Sequence, residues 1–323
     1  MARSSLTDEQ TRDVVSTSRA AKPADGGRTR RRRRRRTFVT IVLFLLPAFV
    51  LFALLVLVPF AVAAYSSFFK WNGLGGPPDD YVGLDNFKKL FGDPVFHADL
   101  RHMMILVVLS LVVQLPLALG LALMLSQRFH GRAVYRVLFF APFVLSEVIA
   151  GVLFNILFSA ENGIGLAAGW LADPSRVLYA LFIVLTWKYF GLHMMLYLAG
   201  RQNIPQELLD AAATDGAGPW RQFRHVTLPL LGPTIRISVF LSVIGVIQLF
   251  DMVWVLTTGG PVHSSETMAV TMFNFGFRRF QVGYASAITM VMFLISLVFA
   301  LFYQRFVMRR DIQGAITVMG ETR

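Results

Sequence analysis

Few residues in this chain have the types and spacing that catalysis or metal binding requires. The 323 residues include no cysteine, which excludes disulfides, thiolate metal sites and thiol catalysis. The six histidines lie in separate segments without the H-E-x-x-H spacing of a zinc hydrolase. No Gly-Lys pair occurs, so a phosphate-binding P-loop is absent from the sequence. We therefore predict no catalytic residue, no metal site and no cofactor bound by this chain.

The ionisable residues of greatest interest are Glu147, Lys188 and Asp251, because they lie inside apolar stretches. An ionisable group at membrane depth costs at least about 2.5 kcal/mol, so such groups normally face protein or a water-filled cavity. Two interpretations follow from the residues alone. The three side chains either pair with one another or reach an interface, or they line the path of a transported solute.

Apolar helices must position these residues. Hydrophobic residues make up 55% of the chain and charged residues 15%, with a mean hydropathy of +0.58, whereas a soluble domain has about 25% charged residues. Crossing a hydrocarbon core takes about 20 helical residues. We predict an all-α membrane protein with six transmembrane helices, near residues 38–69, 103–125, 134–158, 177–199, 237–257 and 284–307. The first run is too long for a cleavable signal peptide, and Pro47 and Pro59 should bend it or end it early.

The positive charges predict which side of the membrane each loop faces, because cationic side chains resist translocation. The segments on the side of the N-terminus hold 23 Lys and Arg residues, and those on the other side hold seven. We therefore predict a multi-pass protein of the cytoplasmic membrane with both termini in the cytoplasm. The first outer loop is acidic and is predicted to contain Asp79, Asp80, Asp85, Asp93 and Asp99.

The two ends of the chain are predicted to lie outside the membrane domain, which covers residues 38–310. Residues 1–37 contain twelve Lys and Arg residues and too few large apolar residues for a core, so we predict a disordered cytoplasmic tail. The arginine run from Arg30 to Arg36 adjoins an apolar span, where each charge near anionic lipid is worth about 1 kcal/mol. We predict lipid contact rather than nucleic-acid binding, and a second cytoplasmic tail over residues 311–323.

The inner segment 200–236 has an internal pattern of its own. Pro205 suits the first position of a helix that continues to Thr214, and Gly216 and Gly218 should end it. Pro219 then opens a second short helix, which Leu228-Pro229 should stop. The residues alone leave two interpretations open, an amphipathic linker on the membrane surface and a surface that docks a partner.

The segment 204–217, which reads IPQELLDAAATDGA, resembles the EAA loop of the permease subunits of binding-protein-dependent ABC importers. The resemblance covers most of residues 38–310. Its segments 81–87 and 250–261 are similar to carbohydrate permeases of the maltose and glycerol-3-phosphate type. One residue departs from the pattern, because Asp210 replaces the family's glutamate before the two alanines. An ion pair to a partner would then form at closer approach or pass to Glu207.

The resemblance implies that this loop docks as a coupling helix on a cytoplasmic ATPase pair, which holds the ATP and magnesium. It also implies a second homologous permease subunit and an extracytoplasmic solute-binding protein that docks on outer loops such as 70–101. The coupling residues carried over are Pro205, Glu207, Asp210, Ala211, Ala212, Asp215, Gly216, Ala217, Phe223, Leu228 and Pro229.

The resemblance also places solute contacts in the fourth and fifth spans, at Lys188, Tyr189, Leu192, Ile247, Gln248 and Asp251. Amide, carboxylate and tyrosine groups suit the hydroxyls of a carbohydrate. For Phe250 and Trp254 we favour packing over a role at the site. The predicted function is a transport subunit, not an enzyme, that moves a sugar or sugar-like solute by alternating access. The alternatives are an ion-coupled secondary transporter that uses Glu147 and Asp251, and a membrane-embedded enzyme.

Overall fold

The computed structural model describes residues 40–127, 129–159, 161, 163 and 168–308. The predicted tails, 1–37 and 311–323, and the arginine run therefore lie outside the described residues. Within the described part the chain is helical, and the β contact in it is an isolated bridge between Phe69 and Tyr81. This confirms the all-α prediction for those residues.

The helices fall into long spans, bent pairs and short connecting helices. The long spans are α1 (Thr40–Ser66), α3 (Pro94–Ser126), α6 (Val177–Gln202) and α12 (Val282–Met308). The bent pairs are α4 (Arg132–Val144) with α5 (Glu147–Phe158), and α8 (Pro219–Leu230) with α9 (Gly232–Ile247). The short helices are α2 (Asp85–Phe91), α7 (Gln206–Thr214), α10 (Asp251–Leu256) and α11 (Met268–Phe273), the last followed by a π-helical turn at Asn274–Arg278.

Among the residues that the structure describes, four helices are long and apolar enough to cross a membrane, and the number rises to six if each bent pair counts as one span. The third predicted span, 134–158, is sharply bent, because α4 and α5 meet at an angle of 96°. Pro142 lies inside α4, and the Ser146 hydroxyl begins a new helix by accepting from the Ile149 N–H at 3.2 Å. The fifth predicted span, 237–257, is also interrupted, between Ile247 and Asp251.

Prolines end the helices less often than the sequence predicted. Helix α1 runs unbroken past Pro59, and α8 continues through Pro229 to Leu230. A π-helical turn precedes each of these prolines, at Ala53–Leu57 and at Phe223–Thr227. Such turns change the local hydrogen-bond register, so the helix accommodates the missing proline N–H instead of ending there.

Helix α3 begins at Pro94, nine residues before the predicted start of the second span. The Asp93 carboxylate accepts from the Val95 N–H at 2.9 Å, and proline is favourable at the first helical position. Asp99 is consequently inside a helix and fully buried, where its Oδ2 accepts from the Thr271 hydroxyl at 2.6 Å. Its predicted place in an outer loop was wrong.

Helix α6 is the most buried of the long spans, with 61% of its apolar window inside the protein. It packs against α3, α4 and α9. The crossing with α4 is close at Gly191, where an added Cβ would lie 2.1 Å from the Phe139 carbonyl oxygen. Glycine is therefore required at this crossing. The close contact places α4 beside the part of α6 that carries Lys188 and Tyr189.

A Gly191→Ala substitution should destabilise the protein by about 1 to 3 kcal/mol, because the methyl group forces α4 away from α6. The measurement is the melting temperature of the purified chain in mild detergent. Gly245→Ala is the matched control, since a Cβ there meets no atom within 4 Å, and it should be neutral or stabilising by about 0.5 to 1 kcal/mol. Equal melting temperatures for Gly191→Ala and the wild type would contradict the close crossing.

Candidate functional site

The break between α4 and α5 is held by Lys188, which reaches it from α6. Lys188 is only 2% exposed. Its Nζ donates to the carbonyl oxygens of Leu145 at 2.6 Å, Phe143 at 3.3 Å and Pro142 at 3.4 Å. These carbonyls belong to the end of α4, where helical N–H partners run out. The ammonium group thus satisfies the backbone that the bend leaves unpaired.

Glu147 opens α5 directly beside this lysine. Its Oε1 lies 3.6 Å from Lys188 Nζ and accepts a hydrogen bond from the Tyr189 hydroxyl at 2.5 Å. The second oxygen, Oε2, is buried and makes no hydrogen bond to any described residue. Of the two interpretations of the ionisable residues, the structure therefore shows pairing for Glu147 and Lys188.

The second break, between α9 and α10, is held in a similar way by uncharged groups. The Thr267 hydroxyl donates to the Leu249 carbonyl at 2.8 Å. At the other end of α10, Asn155 Nδ2 donates to the Leu256 carbonyl at 2.9 Å. Ile247 is buried, whereas Gln248 and Asp251 are exposed at the break.

The two breaks are neighbours because α5 packs against α10. The contact is tight at Gly151, where a Cβ would lie 2.7 Å from a methyl group of Val255. Helix α10, which begins at Asp251, also packs against α6. Lys188, Tyr189 and Leu192 lie within about one turn of α6, and Asp251 opens the helix that packs against it.

An aromatic cluster extends from the second break. Phe250 and Trp254 stack with their ring centroids 5.7 Å apart, and Phe273 lies 4.7 Å from Trp254. The Arg278 guanidinium lies 5.3 Å from the Trp254 ring centre. The favoured prediction of packing for Phe250 and Trp254 is therefore confirmed. The sequence analysis missed Phe273, although its spacing of four residues from Phe277 is a helical signal.

The predicted coupling segment forms two helices at an elbow. Helix α7 ends in a Schellman motif, in which Gly216 has φ +74° and the Ala217 N–H donates to the Ala212 carbonyl at 2.9 Å. The predicted helix end at Gly216 is therefore confirmed. Pro205 is the residue that caps the start of α7 rather than its first residue.

The elbow has one buried side and one exposed side. Ile204 and Leu209 are buried and anchor α7 to the rest of the chain. The exposed side carries carboxylates and apolar groups, and its large apolar members are Leu208 and Trp220, the latter 69% exposed. The remaining exposed or half-exposed coupling residues are Pro205, Glu207, Asp210, Ala211, Ala212, Asp215, Gly216, Ala217, Phe223, Leu228 and Pro229. We call this exposed side the elbow surface.

A large cavity of about 1180 Å³ lies at the predicted outer face. Its lining includes Lys70, Trp71, Asp79 and Asp85 from the segment before and within α2, and Phe280 from the segment before α12. Charged and aromatic groups thus share one concave surface within the loop that the sequence marked for a protein partner.

A family model described as the binding-protein-dependent transport system inner membrane component matches residues 114–312. The chain is 34% identical over 275 residues to a probable ABC transporter permease, PH1215, of Pyrococcus horikoshii. The aligned region covers 81% of this chain and 94% of that protein. The chain is 32% identical over 282 residues to the lactose transport system permease LacF of Rhizobium radiobacter, covering 83% and 93%. A bacterial alginate ABC transporter, solved with an alginate-pentasaccharide-bound periplasmic protein, aligns with a TM-score of 0.75 at 22% identity and covers 85% of this chain and 96% of that chain.

Thr267→Val should lower the stability of the chain by about 1 to 3 kcal/mol, because it leaves the buried Leu249 carbonyl without its hydroxyl donor. The measurement is again the melting temperature in detergent. Thr289→Val is the control, since the Thr289 hydroxyl donates at 3.0 Å to a carbonyl of its own helix, and it should have less effect. If Thr289→Val costs as much as Thr267→Val, the hydroxyl does not hold the break.

Proposed function

Because the chain belongs to the family of binding-protein-dependent transport system inner membrane components, we propose that it is a membrane-spanning half of an ATP-driven importer for a saccharide. ATP hydrolysis is the task of a separate subunit. The family match carries this proposal, since it spans α4 to α12 and so includes both the broken spans and the elbow surface.

The elbow surface is proposed to dock on the ATPase. Glu207, Asp210 and Asp215 give α7 negative charge, and Leu208 and Trp220 give the elbow apolar area. Arg221 and Arg224 on α8 are exposed and carry positive charge. A partner groove that suits the elbow would be apolar at its centre and carry basic groups opposite α7 and acidic groups opposite α8. Gln206 Nε2 donates to Asp210 Oδ1 at 3.1 Å, which orients this shorter carboxylate.

Motion of the elbow is proposed to reach the solute site through α9. This helix has 16 residues, and at 1.5 Å per residue it is a rod of about 24 Å. It meets α8 at an angle of 66° beside Leu231, which is fully buried, and it ends at the break that exposes Gln248. A rigid-body shift of the elbow surface would therefore change the position of that break.

A saccharide suits the residues at the two breaks. Tyr189, Gln248 and Asp251 offer hydroxyl, amide and carboxylate groups, which match the donors and acceptors of sugar hydroxyls. The comparisons give no support to the ion-coupled alternative, and Glu147 is committed to Lys188 and Tyr189.

The proposed assembly contains two further partners. A second permease would complete the solute path, which the broken spans of one chain leave open at Gln248 and Asp251. A solute-binding protein would dock on the outer loops, where the cavity of about 1180 Å³ mixes lysine, aspartate and tryptophan side chains. The orientation with both termini in the cytoplasm and the contact of Arg30–Arg36 with anionic lipid remain part of this proposal.

The assembly is tested by mass spectrometry of the proteins that co-purify with this chain from native membranes in mild detergent. We expect an ATPase and a second six-span permease. A chain that purifies alone and moves solute in liposomes on an ion gradient without ATP would overturn the proposal.

Gly216→Leu should abolish ATPase recovery and uptake while leaving membrane insertion intact. A side chain at φ +74° costs about 1 to 2 kcal/mol, and losing this conformation removes the Schellman motif. An added Cβ meets no atom of this chain within 4 Å, so the penalty lies in the backbone. Gly216→Asn is the control, because asparagine tolerates the left-handed region, and it should retain most of the ATPase. Wild-type ATPase recovery with Gly216→Leu would refute the docking role.

Gln248→Ala should raise the KM for saccharide uptake about two- to tenfold, as expected for the loss of one hydrogen bond. Assembly should be unchanged, because Gln248 is exposed at the break. Gln202→Ala, an exposed glutamine at the end of α6, is the control and should leave KM unchanged. Identical kinetics for Gln248→Ala and the wild type would remove Gln248 from the solute path.

A further inference from the structure

The last backbone carbonyls of α4 require hydrogen-bond donors from neighbouring side chains. A helix leaves its last carbonyls without N–H partners, and hydrocarbon offers no water to replace them. Phe143 and Leu145 present two such carbonyls, 3.3 and 2.6 Å from Lys188 Nζ. The Pro142 carbonyl, which also accepts from the Leu145 N–H at 3.3 Å, is a third acceptor at 3.4 Å. A lysine ammonium has three N–H donors, so the donors of Lys188 match these acceptors in number.

The charges at the break match the two helix ends. The C-terminus of α4 carries partial negative charge, and the N-terminus of α5 carries partial positive charge. Lys188 lies at the first and Glu147 at the second, and the two side chains form an ion pair at 3.6 Å. Removing either partner would leave the other as a largely buried charge without its ion-pair partner.

Glu147 connects Lys188 to Tyr189, because it contacts both side chains. Glu147 Oε1 accepts a hydrogen bond from the Tyr189 hydroxyl at 2.5 Å. The lone pairs of the Tyr189 oxygen are therefore free to accept hydrogen bonds from other groups. With only 2% of its surface exposed, Lys188 has little left with which to contact a solute. A direct contact would also require it to release backbone carbonyls.

We propose that Lys188 is a positioning residue for the solute path, which clamps the break between α4 and α5 and, through Glu147, holds Tyr189 as an acceptor for a solute hydroxyl. This corrects the expectation that Lys188 itself contacts the solute. The clamp stands on the geometry of this chain, whereas the role of Tyr189 rests on the proposed saccharide transport.

The clamp is tested by the distance between spin labels on either side of the bend. The chain has no native cysteine, so Leu138→Cys and Ile156→Cys, which are 61% and 56% exposed, give one labelled pair across α4 and α5. Lys188→Met should broaden or shift the distance distribution of the full-length chain in detergent. Arg176→Met, which removes an exposed cation paired with Asp173 at 3.1 Å, should leave it unchanged.

A distribution for Lys188→Met that equals the wild type would overturn the clamp. If Lys188→Met does not fold, the double variant Lys188→Met/Glu147→Gln takes its place, because it leaves no unpaired buried carboxylate. A changed distance distribution in the double variant would then support the clamp, and an unchanged one would overturn it.

The positioning role is tested by a double-mutant cycle on uptake by the importer purified through this chain. The probe is labelled lactose or an alginate oligosaccharide, whichever the wild type takes up. Lys188→Met and Tyr189→Phe should each raise KM about tenfold with a smaller change in Vmax. The double variant should resemble the larger single effect, because both substitutions remove one connected unit.

Additive effects on KM would show that Lys188 does not act through Tyr189 and would overturn the positioning role. A Vmax loss with unchanged KM in Lys188→Met would also overturn it, because a purely structural lysine would give that result. If the wild-type importer takes up neither saccharide, the proposed function fails together with the role of Tyr189, and the spin-label distance still decides the clamp.

Discussion

The structure depends on one constraint, which is that every backbone polar group within a span needs a partner from the protein. Unbroken helices meet it internally, but the chain interrupts two predicted spans, at Leu145–Ser146 and between Ile247 and Asp251. Lys188 satisfies the first interruption with an ammonium group, and Thr267 satisfies part of the second with a hydroxyl. Non-helical backbone is tolerated at membrane depth only where it is buried in protein or lines a cavity, and we therefore place the proposed solute site at the breaks.

Packing contacts and a continuous helix connect the elbow surface to the two breaks. Ile204 and Leu209 are buried and tie α7 to the chain, and the continuous helix α9 connects the elbow to the second break. The close packing of α5 on α10 at Gly151 then joins the second break to the first. Packed elements of this kind move as rigid bodies rather than deform continuously.

The sequence predicted what local signals determine, and it missed what distant contacts decide. Apolar runs located the helices that could span a membrane, and Pro205 and Gly216 located α7, because those signals act within a few residues. Hydrophobicity does not distinguish a straight span from a bent one, although Pro142 and Ser146 were present. Asp99 was predicted to lie in an outer loop because the residues near it in the sequence do not indicate its contact with Thr271, which lies 172 residues away. Pro59 did not end α1, and a π-helical turn precedes it, whereas α8 ends at Leu230, one residue after Pro229.

The central claim is that ATP, and not an ion gradient, moves a saccharide past these two breaks. The most direct measurement is uptake of labelled saccharide into liposomes that contain the complex purified through this chain, with ATP supplied to the ATPase side and all ion gradients collapsed. The account predicts accumulation that requires ATP and the solute-binding protein. Accumulation driven by a proton or sodium gradient in the absence of ATP would contradict it.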